Sequence, residues 1–340
     1  MKDQLDKAIR FLIRSRNEDR IWSDFLLPTG ESDGWVTGYI GCILAASGDP
    51  LAESAAREAW EVHGPKHYFD GHGGWSFNRH SPEDADSTAW SIRFALNLGL
   101  EGKLRITAAE EFLMKHLQPD GGIATFVHER DVRKFVNARP EDEVSGWMIT
   151  HPCVTAAAAN VPSLNDRLIP YLLRNQLPDG GWEAYWWMDP VYTVSLAVQA
   201  LIMHGRNTHS AGIENAARWA CQLFRGKDHI STPGFPEGSP FATALALKSL
   251  VMAAGRMERL SPAGPALRWL LSQQKEDGSW ESSALLRVPP VYMNIPGNQH
   301  EWKNQTTGSR FGVVAKDRHS LFTTATALDC LRQVQETFGI

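Results

Sequence analysis

The sequence has little of what marks several broad classes of protein. Its 340 residues include only four cysteines, which lie far apart in apolar stretches without a Cys-x-x-Cys pair. This excludes a small disulfide scaffold and favours reduced thiols in the cytoplasm. No segment has the roughly 18 continuous apolar residues that a membrane-spanning helix needs. Lys and Arg total 34 against 39 Asp and Glu, for a net charge of −5 without a basic cluster, so we expect no nucleic-acid partner.

Thirteen tryptophans are present instead, and several of them mark an internal repeat. The segment AIRFLIRSRNEDRIW ends at Trp22, and ALRWLLSQQKEDGSW ends at Trp280. The same cassette recurs before Trp75 and Trp182, and with an isoleucine at Ile123. A fifth, eroded copy is placed near Phe235. The anchors fall at 22, 75, 123, 182, about 235 and 280, which predicts six repeat units.

Each unit contains two helical patterns. The segment before an anchor is amphipathic, as in ENAARWACQLFRG, and is typical of an outer helix. The segment after the anchor is apolar nearly all round, as in TVSLAVQALIM, and must be surrounded by other helices. The pattern therefore predicts an all-α protein: one (α/α)6 toroid domain over 1–340, with six outer and six inner helices. An open solenoid is the alternative, but its polar end caps are absent.

Two cassettes carry the complete spacing Gln-x-x-x-Gly-x-Trp, with Gln176, Gly180 and Trp182 in one and the same spacing ending at Trp280 in the other. The glycine permits a tight turn, and we expect the glutamine amide to reach the indole. This pattern resembles the QW repeat of the prenyltransferase and squalene-cyclase superfamily over essentially the whole chain. The resemblance implies an α/α barrel.

The inner helices all start after an anchor, so their first turns meet at one rim. The six inner helices can be aligned on a threonine that each contains. The residue two positions before that threonine then comes from the same level of each helix, and these six residues form a ring. The ring consists of Trp35, Asp86, Cys153, Val191, Phe241 and Phe322. Burial among aromatic groups raises the pKa of a carboxyl, while a helix N-terminus stabilises its anion. Asp86 therefore suits the role of a general acid.

The local sequence Asp84-Ala85-Asp86-Ser87-Thr88-Ala89 resembles the Asp-x-Asp-Asp-Thr-Ala motif of class II terpene cyclases. By this resemblance, Asp86 is the proton donor that starts a cationic cyclisation, and Asp84 is the first aspartate of the motif. Ser87 replaces the third. The family's donor often has a histidine partner, and His151 is the nearest by repeat position.

The same segment also fits an ordinary helix start, with Ser81 as the N-cap, Pro82 at the first helical position and acids in the first turn. Capping explains Asp84 but leaves Asp86 unexplained, because Asp86 lies within the helix and faces the expected cavity.

Two insertions follow anchors, at about 124–149 and 281–321. Both are far longer than usual loops without evident secondary structure, and both should cover the rim that holds Asp86 as lids or substrate-binding elements. The second has a positive balance, and Arg310 is its candidate for an anionic head group. A solvated loop with scattered charge is the competing interpretation.

Aromatic side chains near this rim are candidates to line the cavity and stabilise carbocations through their ring faces. The run Tyr185–Trp187 is the strongest because no repeat position explains it. The full set of candidate substrate-binding residues is Trp35, Trp90, Trp147, His151, Cys153, Tyr185, Trp186, Trp187, Tyr192, Phe241, Phe322 and Arg310.

The leading hypothesis is acid-initiated cyclisation of a linear isoprenoid or related lipid, without a cofactor or a dedicated metal site; Mg²⁺ matters only if the substrate is a diphosphate. One alternative is a non-catalytic isoprenoid-binding or scaffold subunit. Another is a zinc-dependent prenyltransferase-like subunit, for which His151 and Cys153 are the only adjacent ligands. A glycan-processing barrel would need a second rim carboxylate, for which Asp189 is the candidate. Relatives in this superfamily usually pair two barrels, so a second subunit or a homo-oligomer is compatible with this chain. Peripheral contact of this cytoplasmic protein with a membrane is also compatible with the sequence.

Overall fold

The computed structural model describes residues 1–65, 72–254, 262–294, 303–304 and 312–339. Outer and inner helices alternate along the chain. The outer helices are α1 (Lys2–Arg14), α3 (Pro50–His63), α5 (Leu104–Lys115), α8 (Pro162–Arg174), α10 (Ser210–Leu223) and α12 (Ala263–Ser272). The inner helices are α2 (Gly34–Ala45), α4 (Ala85–Asn97), α7 (Pro152–Ala158), α9 (Val191–Gly205), α11 (Pro240–Ala254) and α13 (Leu321–Phe338). One more helix, α6 (Glu129–Val136), lies in the first insertion.

Burial follows the two sequence patterns. In α1 the buried residues are Leu5, Ala8, Ile9 and Leu12, which form one stripe at helical spacing. In α2 every residue except the last is buried, because neighbouring helices surround it. The outer helices therefore bury one face and the inner helices nearly all of their surface.

The ring of helices is closed. Inner helix α13 packs beside α2, where the Tyr39 hydroxyl and Thr326 Oγ1 lie 2.7 Å apart. On the outside, the amide of Gln274, two residues after the end of α12, donates to the carbonyl of Gln4 in α1 at 2.9 Å. The predicted α/α toroid is confirmed, and the open solenoid is excluded because the first and last repeats are in contact.

A recurring hydrogen bond joins five of the six anchors to their inner helices, and the exception is Trp182, since the Thr193 hydroxyl has no partner in the described chain. The anchor backbone N–H donates to the threonine hydroxyl that was used to align the helices. The pairs are Trp22–Thr37, Trp75–Thr88, Ile123–Thr155, Ile230–Thr243 and Trp280–Thr324, at 2.8–3.2 Å. The anchor of the fifth unit is therefore Ile230. Its placement near Phe235 is wrong, because Phe235 lies in a later turn in which its N–H donates to Thr232 O.

The glutamine of the repeat motif does not bond the indole, contrary to expectation. Gln176 donates to the carbonyls of Gly180 and Gly212, both at 2.9 Å. It thus joins its own turn to the next outer helix, α10, and Gln274 makes the equivalent pair of bonds. The Trp182 indole N–H is already satisfied by Leu172 O. Gly180 has a φ of +99°, a conformation that side-chain-bearing residues rarely adopt.

Short strands occupy the rim loops. They are β1 (Asp24–Leu27), β2 (Gly30–Ser32), β3 (Trp75–Ser76), β4 (Glu83–Asp84), β5 (Leu285–Val288), β6 (Lys303–Asn304) and β7 (Val313–Lys316). Strands β1 and β2 pair antiparallel, as do β3 and β4, while β7 pairs antiparallel with β5 and parallel with β6.

Both insertions therefore contain secondary structure, which their sequences did not suggest. The first holds α6 and a 3₁₀ turn at Ser145–Trp147. The two insertions touch closely at Gly146, where an added Cβ would lie 2.4 Å from Met293 O, so only glycine fits.

In the described part of the chain, no helix has the length and apolarity needed to cross a membrane.

Candidate active site

Helix α4 begins at the two aspartates of the sequence motif. Asp84 ends strand β4 and is itself the N-cap of α4, so the expected cap at Ser81 is wrong. Asp84 accepts a hydrogen bond from the Ser87 N–H at 2.8 Å and another from the Ser87 hydroxyl at 2.7 Å. Because Ser87 binds this carboxylate twice, the residue that replaces the third motif aspartate has a definite role in the site.

Asp86 lies one residue inside α4, and its side chain borders a cavity. Among the described residues, none hydrogen-bonds its buried Oδ1. Burial raises the pKa of Asp86 well above its usual range, and the nearby charge of Asp84 raises it further; the Trp35 indole and Arg93 oppose this increase. Asp86 therefore retains its proton at a pH at which an ordinary aspartate is ionised.

Asp84 is the more acidic of the two carboxyls. Burial raises its pKa to about 7, against the two hydrogen bonds from Ser87, which lower it. Two carboxyls this close ionise in sequence, because the first negative charge opposes the second. The proton is therefore held more firmly on Asp86, which borders the cavity, than on Asp84.

The cavity has a volume of about 440 Å³, within the range of small-molecule sites. Its lining is mostly apolar and comes from the β1–β2 turn, the starts of α2 and α4, the β3–β4 connection, the loop before α9 and both insertions. The lining residues are Leu27, Pro28, Thr29, Trp35, Phe77, His80, Ser81, Asp84, Asp86, Ser87, Thr125, Phe126, Phe135, Val136, Trp147, Trp186, Leu286 and Val288. No lysine or arginine of the described chain is among them.

Three of the predicted aromatic residues, Trp35, Trp147 and Trp186, line this cavity. We call the rings of Phe77, Phe126, Phe135, Trp147 and Trp186 the cavity wall. Trp147 and Trp186 meet edge to face with centroids 5.4 Å apart. The Trp147 indole also donates to Pro289 O at 2.9 Å, which joins the first insertion to the second.

Other predicted aromatic residues fill the centre of the ring instead. We call the buried set Phe25, Tyr39, Trp187, Tyr192, Phe241 and Phe322 the aromatic hub. Trp187 stacks on Tyr192 at 4.4 Å and on Phe241 at 5.2 Å, and Tyr39 stacks on Phe322 at 3.9 Å. Trp90 donates its indole N–H to the Tyr192 hydroxyl at 2.7 Å. These residues do not line the cavity, because they are packed against one another beside it.

His151, Cys153 and Tyr185 lie behind the cavity wall. Both ring nitrogens of His151 are engaged, with Thr125 Oγ1 at 2.6 Å and Gly146 O at 2.9 Å, so His151 is not the partner of Asp86. Burial lowers the pKa of His151 to about 3 and raises that of the Cys153 thiol to about 11. No group of three metal-ligating side chains is assembled in the described residues.

Two basic residues of the second insertion, Arg287 and Arg318, hold it to the rest of the protein. Arg287 is buried and donates to Tyr185 O at 2.7 Å and to Ala184 O. Arg318 pairs with Glu31 at 2.9 Å. Arg310, the candidate for an anionic head group, lies outside the described residues. Asp189, the second carboxylate of the glycan hypothesis, does not line the cavity.

The sequence interpretation missed several lining residues. Phe126, Phe135 and Val136 come from the first insertion, and Leu286 and Val288 from the second. Leu286 and Val288 are two apart on strand β5, so their side chains share one face. That alternation, and the apolar spacing in VRKFV of α6, were the available signals.

The fold and the site together define a class of helical-toroid proteins with a mostly apolar cavity beside a buried carboxyl group of raised pKa. A family model for the squalene-hopene cyclase C-terminal domain matches residues 60–288, and the chain belongs to this family. The family that the sequence motifs resemble is thus confirmed, together with the likeness to class II terpene cyclases.

Solved structures agree over nearly the whole chain. A variant of the type II terpene cyclase MstE from Scytonema, in complex with its substrate geranylgeranyl dihydroxybenzoate, is 33% identical, covers 99% of this chain and 98% of its own, and has a TM-score of 0.93. A protein from Actinoplanes is 34% identical, with 98% of both chains covered and a TM-score of 0.90. Drimenyl diphosphate synthase from Streptomyces showdoensis is 25% identical over 238 residues, which is 66% of this chain but only 41% of that enzyme.

Proposed function

We propose that this protein catalyses the acid-initiated cyclisation of a linear isoprenoid, with Asp86 as the proton donor. One observation carries the proposal: a buried carboxyl group with a raised pKa, whose Oδ1 has no hydrogen-bond partner among the described residues, borders an apolar, aromatic cavity. An alkene is a weak base, and it is protonated only where the acid is strong and water is excluded. The similarity to MstE supports the same interpretation.

The chemistry balances without a cofactor. The alkene π electrons take the Asp86 proton, so the O–H bond breaks, a C–H bond forms and a tertiary carbocation remains. The next alkene attacks this cation and forms a C–C bond, which moves the charge along the chain. Ring faces of the cavity wall stabilise it. Loss of a proton from the last cation restores an alkene, so substrate and product are isomers, and exchange with solvent restores the proton on Asp86.

Asp84 and Ser87 support the donor. Negative charge on Asp84 favours the protonated form of Asp86, and Ser87 holds Asp84 in place through two hydrogen bonds. After proton transfer, the start of α4 and the Trp35 indole stabilise the Asp86 anion. Both effects favour transfer once an alkene lies against Oδ1.

The first substrate to test is geranylgeranyl dihydroxybenzoate, because the MstE complex contains it. Mg²⁺ has a role only if the substrate carries a diphosphate, and the described lining has no lysine or arginine that would neutralise that group in its place. We place the activity in the cytoplasm, in keeping with the four unpaired cysteines.

The test compares the native chain with Asp86→Asn on geranylgeranyl dihydroxybenzoate, farnesyl and geranylgeranyl diphosphates, and squalene. Loss of the general acid should lower the yield of cyclised product by at least about 100-fold. Asp166→Asn, whose side chain is 92% exposed, is the matched control and should retain full activity. Cyclised product that persists in Asp86→Asn would exclude Asp86 as the donor. Tight binding without product in native and variant chains would identify the carrier alternative instead.

A further inference from the structure

Behind the cavity wall, a chain of hydrogen bonds runs from Trp186 to Gly146. The Trp186 indole N–H donates to Thr125 Oγ1 at 2.8 Å. Thr125 Oγ1 and His151 Nδ1 lie 2.6 Å apart, and His151 Nε2 and Gly146 O lie 2.9 Å apart. Thr125 and His151 are both buried, so solvent does not compete for these bonds.

The partners determine the direction of every bond in this chain. A backbone carbonyl only accepts, so the His151 proton resides on Nε2 and is donated to Gly146 O. Nδ1 is then a bare acceptor, and the Thr125 hydroxyl donates to it. That leaves the Thr125 oxygen free to accept the Trp186 indole N–H. Burial keeps the imidazole neutral by lowering its pKa to about 3, and the ring stacks on Tyr185 at 3.8 Å.

The chain also reaches the acid. The Thr125 carbonyl accepts the backbone N–H of Ala85 at 3.1 Å, and Ala85 lies between Asp84 and Asp86. Thr125 therefore contacts the start of α4 through its backbone and the cavity wall through its side chain. An indole that is bonded at its N–H cannot rotate freely, so its ring face keeps one orientation toward the cavity.

We propose that Thr125 and His151 are positioning residues that fix the plane of the Trp186 ring against the cavity and thereby determine where the migrating charge is stabilised. This role rests on the proposed cyclisation, whereas the hydrogen-bond chain itself does not. Removing the chain should change which products form more than it changes how fast substrate is consumed, because Asp86 and its neighbours are left intact.

The first experiment needs no substrate. In protein labelled with ¹⁵N at tryptophan and histidine, the Trp186 indole signal is identified by its loss in Trp186→Phe. It should move upfield in Thr125→Val and stay in place in Thr125→Ser, which retains the hydroxyl. His151→Phe keeps the stacked ring but removes the acceptor, and should cause a smaller shift. In the native protein His151 should be the neutral Nε2–H tautomer. An unmoved Trp186 signal in Thr125→Val, or an Nδ1–H tautomer, would overturn the proposed hydrogen-bond chain.

The second experiment measures products with the compound that the native chain converts. Thr125→Val should turn a minor, partly cyclised product into a major one while total turnover falls by no more than about tenfold, the equivalent of one hydrogen bond. Thr125→Ser should restore the native product ratio. Thr193→Val is the matched control, since Thr193 is a buried threonine outside the cavity whose hydroxyl has no partner in the described chain. If Thr125→Val loses activity with an unchanged product ratio, the positioning role is refuted even though Asp86 remains the donor.

Discussion

Trp186 and Trp187 are adjacent in sequence but belong to different regions of the molecule. Trp186 is half-buried, bonds Thr125 and faces the cavity. Trp187 is 2% exposed and lies in the aromatic hub against Tyr192, Phe241 and Phe322. Tryptophan is thus packed in the core at position 187 but lines the cavity at position 186.

The two regions differ in origin. Apart from Phe25 and Trp187, the hub comes from four inner helices, α2, α9, α11 and α13. Four of the five rings of the cavity wall come from segments between anchors and inner helices on the third and fourth repeats, and Phe77 comes from the β3–β4 connection. The inner helices therefore supply most of a packed centre, and the segments between anchors and inner helices surround the cavity beside it. Aromatic content alone does not locate a binding site in such a fold.

The largest effect expected from the difference between the aromatic hub and the cavity wall is on the free energy of unfolding. Trp187→Ala should lower the free energy of unfolding by about 3–5 kcal/mol, because it leaves a void in a packed cluster. Trp186→Ala should lower it by about 1–2 kcal/mol, since this side chain is half-buried and already borders a cavity. Urea denaturation of the two variants measures both values. Equal losses would show that the hub and the wall are not energetically distinct.

The second prediction concerns Asp86, the acid that borders the cavity beside the cavity wall. Activity requires protonated Asp86, so it should fall as the pH rises through the pKa of Asp86. The charge of Asp84 raises that pKa, and Asp84→Asn removes the charge while keeping an oxygen that can cap α4. The alkaline limb of the pH profile of kcat/KM should therefore move to lower pH by about one unit or more. Asp166→Asn should leave the limb in place, and a shift to higher pH in Asp84→Asn would contradict the assignment of charge to Asp84.

The sequence predicted the ring of helices because both of its signals are periodic. Amphipathic and all-apolar segments alternate, and the anchor recurs at Trp22, Trp75, Ile123, Trp182 and Trp280. The motif also placed Asp84 and Asp86 at the start of α4. The fifth anchor was misplaced because Ile230 is followed by a turn whose Phe235 imitates the aromatic anchor.

Most of the cavity lining was beyond sequence analysis, for a physical reason. Residues such as Phe126 and Leu286 are brought together by contacts between two insertions that are far apart in the chain, and no period relates them. The division between hub and wall had no local signal either, since Trp186 and Trp187 differ only in the direction of their side chains.

The smallest expected effect is that of removing the Tyr185 hydroxyl, which tests how the second insertion is held beside the cavity wall. Its hydroxyl donates to Met293 O at 2.8 Å and so joins the aromatic run to the second insertion, next to the close contact at Gly146. Tyr185→Phe keeps the ring on His151 and removes only this bond, which should lower the free energy of unfolding by about 1 kcal/mol. It should also increase protease cleavage in 285–294, because the segment loses a tie to the barrel. Tyr292→Phe, at a side chain that is 58% exposed, should change neither quantity. If cleavage increases equally in both variants, the Tyr185 hydroxyl does not hold this segment, and the backbone contact at Gly146 must do so.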